Sequence, residues 1–188
     1  MSLPVEAATS LYGAYRLARF DSRGMTYFAG GPRAFWRSFS AAVIIAPFYA
    51  LLLATAYPEL ENASHPVRFA LAEGIGYVMA WAAYPLVMAW MTQQLDRFDH
   101  FIGYIVAYNW AAVLQNAVFI PVNMLWITGV LQPEVGFILW LIVFSLILAY
   151  LWFIARTALA LDPLPAASIV GIDIVLNLII SAVAQSLR

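Results

Sequence analysis

The sequence predicts an all-α fold, a multi-pass membrane helix bundle with five transmembrane helices and an N-terminal interfacial amphipathic helix. Three observations carry this. Of the 188 residues, 64% are hydrophobic and only 10% charged, with mean hydropathy +0.84, whereas a soluble domain needs roughly 25% charged residues to stay solvated. The apolar residues fall into five runs, each with at least the roughly 20 residues that a bilayer crossing requires. Arginines are concentrated in alternate links between those runs, the asymmetry expected of a membrane topology.

Residues 5–20, VEAATSLYGAYRLARF, place Leu11, Tyr15 and Ala18 at helical spacing with Arg16 and Arg19 beside them. That pattern suits a short helix in the headgroup region. Asp21-Ser22-Arg23-Gly24 is turn chemistry, and Pro32, after Gly30 and Gly31, is placed to open a helix. Phe35, Trp36 and Arg37 form an aromatic and basic anchor at a membrane surface. Residues 1–37 are thus expected to form a cytoplasmic segment and residues 38–188 one five-span domain. The spans are expected at about 38–57, 66–92, 101–128, 135–157 and 165–186. Links between them are short, so sequence neighbours should pack antiparallel. Pro47, Pro85 and Pro121 should kink or loosen the first three spans, while spans four and five should be straighter. The first long apolar run begins near Phe39, too late for a secretory signal, so the chain is expected to insert through its own helices.

Orientation follows from the arginines. With five spans, Arg16, Arg19, Arg23, Arg33, Arg37, Arg97 and Arg156 fall on one side, and Arg68 and Arg188 on the other with Glu59, Glu61 and Glu134. The positive-inside bias then places the N-terminus in the cytoplasm and the C-terminus outside, and the compact, lysine-free chain suggests a bacterial inner membrane. All nine basic residues are arginine, which we read as genome composition rather than chemistry.

Several residues are costly inside a bilayer. Span three carries Asn109, Asn116 and Asn123, spaced by seven, nearly two helical turns. Glu73 lies in span two and Asp173 in span five, where a carboxylate costs about 2.5–3.5 kcal/mol on insertion scales. At about 1.5 Å per residue, Asp173 lies roughly 12 Å below the cytoplasmic surface, level with Asn109, and Asn177 lies deeper. Glu73, entering from the other side, comes close to the level of Asn116 and Gln115. Asp173, Asn177, Ser181 and Gln185 form a ridge on span five, and Tyr77 extends the Glu73 row, with Tyr84 seven residues further on. The expectation is a polar interior lined by spans two, three and five, with Glu73, Asn109, Asn116, Asn123, Asp173 and Asn177 as its members. Span four, polar only at Ser145, is expected to face lipid. Asparagine, glutamine and serine also serve as glue between membrane helices at about 0.6 kcal/mol per contact, and the asparagine stripe reads first as such a seam. Gly74 and Gly76 read as close-packing positions.

Other chemistry is not indicated. Cysteine is absent, so thiolate catalysis, disulfides and thiolate metal sites are excluded. A net charge of −1 gives no reason to expect nucleic acid. Asp96, Asp99 and His100 read as a solvated loop rather than a metal site, and His65 as a surface residue. There is no phosphate-cradling glycine loop, no His-Glu-x-x-His pattern and no serine–histidine–acid set at usable depth. No catalytic residue, metal ligand or cofactor is therefore expected. The expected partners are the lipid bilayer and other membrane proteins or a second copy of the chain.

Five closely spaced spans after an arginine-bearing amphipathic segment resemble the Yip-domain family of small polytopic membrane proteins. Gly76-Tyr77 with Ala83-Tyr84-Pro85 is similar to the glycine–tyrosine pattern of that family's early spans. The stretch from Tyr104 to Pro121 is similar to the proline-bearing third span of bacterial members. The family's eukaryotic Asp-Leu-Tyr-Gly-Pro pattern is absent before span one; Leu11-Tyr12-Gly13 lies too far upstream. The resemblance implies a non-enzymatic protein that organises or binds other membrane components, and transfers no functional residue. The alternative is a small transporter or channel component whose polar path runs between spans two, three and five.

Overall fold

The structure, a computed structural model, describes residues 3–28, 30–59 and 65–187. Four helices open on a proline, whose fixed φ and missing N–H suit a first helical position. These are α2 (Pro32–Ser38), α4 (Pro66–Gln94), α6 (Pro133–Ala158) and α7 (Pro163–Ser186). The others are α1 (Leu3–Ala18), α3 (Ser40–Ala56) and α5 (Phe101–Ile127). His65 caps α4 by accepting the Val67 N–H at 3.4 Å. Spans four and five thus begin at Pro133 and Pro163, two residues before the expected starts. The first apolar stretch runs from Pro32 to Ala56 with a break at Phe39, where α2 ends and α3 begins.

Among the described residues, five helical stretches are long and apolar enough to cross a membrane: Pro32–Ala56, Pro66–Gln94, Phe98–Ile127, Pro133–Ala158 and Pro163–Ser186. Pro47, Pro85 and Pro121 lie inside α3, α4 and α5, and each removes a backbone donor from its helix.

Helix α5 is the hub. It packs closely against α6, α3, α1 and α2, while α4 packs chiefly on α7, and α7 also on α6. Packing of every span on its sequence neighbour is therefore not what forms. The pairs α5/α6 and α6/α7 are close, but α3 lies against α5 rather than α4. The physical reason is that apolar helices gain nothing from excluding lipid from one pairing over another, so shape decides. A Cβ on Gly76 would lie 3.1 Å from the Ala184 Cβ, which marks the α4/α7 crossing. A Cβ on Gly136 would lie 2.3 Å from Trp126 Cδ1, so only glycine admits that indole at the α5/α6 crossing. Between α3 and α4 stand large side chains instead. The rings of Tyr49 and Tyr77 stack at 5.1 Å, and Tyr77 Oη donates to the Ala42 carbonyl at 2.7 Å.

The face expected to point at lipid, α6, is only half exposed. Phe137, Ile138, Leu141, Ile142 and Leu146 are exposed, but Val143, Tyr150, Ile154 and Ala155 are buried. Sequence polarity cannot separate these faces, because both are apolar.

Helix α1 docks on α5 and α6. Its buried stripe is Ser10, Ala14 and Leu17, while Tyr15 and Ala18 of the row read as facing the headgroups are exposed. Tyr150 Oη donates to the Ala14 carbonyl at 2.7 Å, and Arg37 pairs with Glu6 to tie α1 to α2. The turn read at Asp21 is a 3-10 segment, Ser22–Tyr27, capped by the Asp21 carboxylate at the Arg23 N–H. It folds back on α1 so closely that a Cβ on Gly24 would sit 2.6 Å from the Gly13 carbonyl oxygen. Phe35 meets Phe101 and Phe20 meets Phe153, at ring separations of 5.9 and 5.2 Å. The N-terminal segment, the α4–α5 link and the α6–α7 link therefore share one end of the bundle. Arg68 marks the other end, where its Nε donates to the Leu187 carbonyl at 2.9 Å.

Candidate functional site

A cleft of about 530 Å³ lies between α4, α5, α6 and α7. It occupies the space between α5 and α7, whose backbones make little direct contact, so a long side chain must bridge them. Tyr108 does so, its Oη donating to Asp173 Oδ1 at 3.0 Å. Asn177, one turn along α7, donates through Nδ2 to the same oxygen at 2.9 Å and to the Asp173 carbonyl at 2.9 Å. Asp173 is 5% exposed. Behind Tyr108, the ring of Tyr84 stacks at 4.2 Å and its hydroxyl is hydrogen-bonded to that of Tyr104. A layer of three tyrosines thus backs one carboxylate.

The walls are mostly apolar and aromatic. Trp81 and Pro85 come from α4, Phe119 from α5, Trp140 and Phe144 from α6, and Ile174 and Leu178 from α7. Polar lining besides Asp173 and Asn177 comes from Asn109, Gln115 and Asn116. The Gln115 Nε2 is buried without a hydrogen-bond partner.

Four of the six expected polar residues, Asp173, Asn177, Asn109 and Asn116, therefore line one cleft. Asp173 and Asn109 share that lining but do not bond to each other. Asn109 donates through Nδ2 to Ser38 Oγ at 2.8 Å, and Ser38 in turn donates to the Phe35 carbonyl at 2.7 Å. Its bond thus fastens α5 to the end of α2. Asn116 and Asn123 donate to carbonyls on their own helix, of Ala112 at 2.9 Å and Phe119 at 2.7 Å. As a seam between helices the stripe therefore reduces to Asn109, because an amide four residues beyond a carbonyl reaches it without leaving the helix. Asn123 does not line the cleft.

Glu73 lies elsewhere. It is buried and accepts from Tyr49 Oη of α3 at 2.9 Å, so a level close to that of Asn116 does not bring it into the cleft lining. Depth fixes a level, but the Gly76–Ala184 crossing fixes the rotation of α4 and presents Glu73 to α3. The row read from Glu73 through Tyr77 to Tyr84 is split likewise. Tyr77 belongs with α3 and Tyr84 with the cleft. Reading by residue cost missed Tyr104 and Tyr108. Their signal was present, an i, i+4 pair ending one residue before Asn109.

Among the described residues no group of three or more His, Asp or Glu lies close enough to hold a metal. The cleft offers one carboxylate, hydroxyl and amide donors, and aromatic faces. The class defined by this fold is an all-α bundle with five helices of membrane-crossing length and apolarity, consistent with an integral membrane protein. No protein-family profile, curated protein or solved structure matches the chain.

Proposed function

We propose that the protein is a Yip-like, multi-pass protein of a bacterial inner membrane, N-terminus cytoplasmic and C-terminus outside, that binds or organises other membrane components and is not an enzyme. The observation that carries the binding reading is that the polar lining of the cleft is a short patch rather than a row across the bundle. Glu73 faces α3, Asn123 is turned onto its own helix, and beyond Asn116 and Asn177 the walls are Phe119 and Ile180. A conducting path needs polar or water-filled lining along its whole length, whereas a binding cleft needs apolar walls with a few placed polar groups. The arginine-bearing end supports the orientation, and the five-helix architecture after an arginine-bearing α1 supports the Yip likeness.

The chain contains no cysteine, which makes thiol accessibility a clean test. Single cysteines at positions 109, 116, 123, 173 and 177 in oriented vesicles are treated with a membrane-impermeant thiol reagent. The binding reading expects no labelled series joining the two sides, with position 123 unreactive. Labelling that runs unbroken through 123 overturns it in favour of the transporter alternative. A reporter fused after Arg188 should be active only outside, and cytoplasmic activity overturns the orientation.

A further inference from the structure

We propose that the cleft between α4, α5, α6 and α7 binds a lipophilic organic cation, with Asp173 as its counter-charge. This names a ligand class for the binding reading above and rests on it.

The charge balance of the cleft is the first support. Asp173 is buried with only neutral partners, the Tyr108 hydroxyl and the Asn177 amide. The ion pairs among the described residues lie between Glu6 and Arg37, in the N-terminal segment. Among the described residues, no arginine or histidine lines the cleft. A carboxylate at such a site is set up to gain from a cation brought by a ligand, and an anion would meet no opposite charge there.

The walls have the matching chemistry. Trp81, Tyr84, Tyr108, Phe119, Trp140 and Phe144 surround the space, and the faces of such rings attract cations, more strongly when water is excluded. The volume of about 530 Å³ falls within the usual size of a small-molecule site. The Gln115 Nε2, buried in the wall without a partner, suits an acceptor atom on the same ligand, because a buried donor left unpaired is costly.

Access selects the type of cation. Leu178, which lines the cleft, is 65% exposed, and its neighbours Val175 and Ile179 on α7 are exposed too. An opening flanked by such a face admits a molecule dissolved in hydrocarbon. Asp173 lies ten residues into α7, about 15 Å along the helix, below the level at which phospholipid headgroups sit. A free amphipathic cation with an apolar body reaches it, and the ammonium group of a bilayer lipid does not.

The test is equilibrium binding of radiolabelled tetraphenylphosphonium to the full chain in nanodiscs, with empty nanodiscs subtracted. Saturable binding is expected, weakened at least tenfold by Asp173→Asn. Tyr108→Phe, which keeps the ring and removes one hydrogen bond, should weaken it less. Uncharged tetraphenylsilane, of the same shape and with no acceptor atom, should fail to compete. That competition uses the unaltered protein and decides the matter even where Asp173→Asn does not fold. Absence of saturable binding, equal binding by folded Asp173→Asn, or equal competition by tetraphenylsilane overturns the cation proposal. Each of these leaves the binding reading standing, which falls only on thiol labelling through position 123.

Discussion

Leu17→Ala separates docking of α1 on the bundle from adhesion of α1 to the lipid surface. Leu17 is fully buried in a cluster with Ile154, Ala158 and Leu159. Where α1 undocks into water rather than onto the lipid surface, the magnitudes known for aqueous cores apply. Truncating a fully buried leucine to alanine costs about 2–5 kcal/mol, transfer and cavity together. At about 1.4 kcal/mol per tenfold, the docked-to-undocked ratio falls about 30-fold to several thousand-fold. Hydrogen exchange in nanodiscs reads this ratio directly. Amides of α1 should exchange faster by that factor, while those in the middle of α5 and α6 stay unchanged. The hydrogen bond from Tyr150 and the Arg37–Glu6 pair remain, so their contributions do not enter the difference. An increase below threefold refutes the reasoning and shows that α1 is held by the membrane surface.

Two further outcomes follow. Gly76→Leu should lower thermal stability in detergent, at a cost of about 1–3 kcal/mol for overpacking the α4/α7 crossing, whereas Gly74→Leu should be neutral, because nothing lies within 4 Å of its Cβ position; equal effects of the two would refute the crossing. Asp21 accepts from Arg16 Nε at 2.8 Å and caps the following turn, and the Arg16 hydrogen bond holds its carboxyl below the ordinary value of 3.8. A carboxyl depressed in the folded state contributes stability that is present above its unfolded pKa and is lost as pH falls through the folded value. Amide exchange over residues 22–28, corrected for intrinsic rate, should therefore quicken below about pH 4, and Asp21→Asn should be loosened already at pH 6 with no further acid step.

How far the sequence could be read depended on whether the deciding property was composition or shape. The five long helices were legible because about 20 apolar residues between breaks is a property of composition, and proline at a first helical position accounts for the shifted starts at Pro133 and Pro163. Pairing was not legible. It turns on Gly76 against Ala184 and Gly136 against Trp126, contacts between residues far apart in sequence that leave no periodic trace. Costly polar residues marked Asp173, Asn109 and Asn177 because each must find a partner. Which partner was beyond the sequence, since a tyrosine hydroxyl carried across the α5–α7 gap does what the shorter Asn109 amide cannot. The aromatic walls of the cleft were hidden for the opposite reason, because in an apolar span tryptophan and phenylalanine resemble every other residue.

The pairing of the three most costly buried groups also has an order in time. Glu73 is bonded to Tyr49, Asn109 to Ser38, and Asp173 to Tyr108. In each pair the carboxylate or amide is the later residue, and the earlier one is a hydroxyl, which is less costly to leave waiting in a membrane. A chain inserted from its N-terminus thus delivers each expensive group into surroundings that already hold its acceptor or donor. Asn116 and Asn123, which bond to their own helix, need nothing that has yet to be synthesised. Biosynthesis in this order avoids an intermediate with a carboxylate stranded in hydrocarbon, and a circular permutant that presents α7 first would create one.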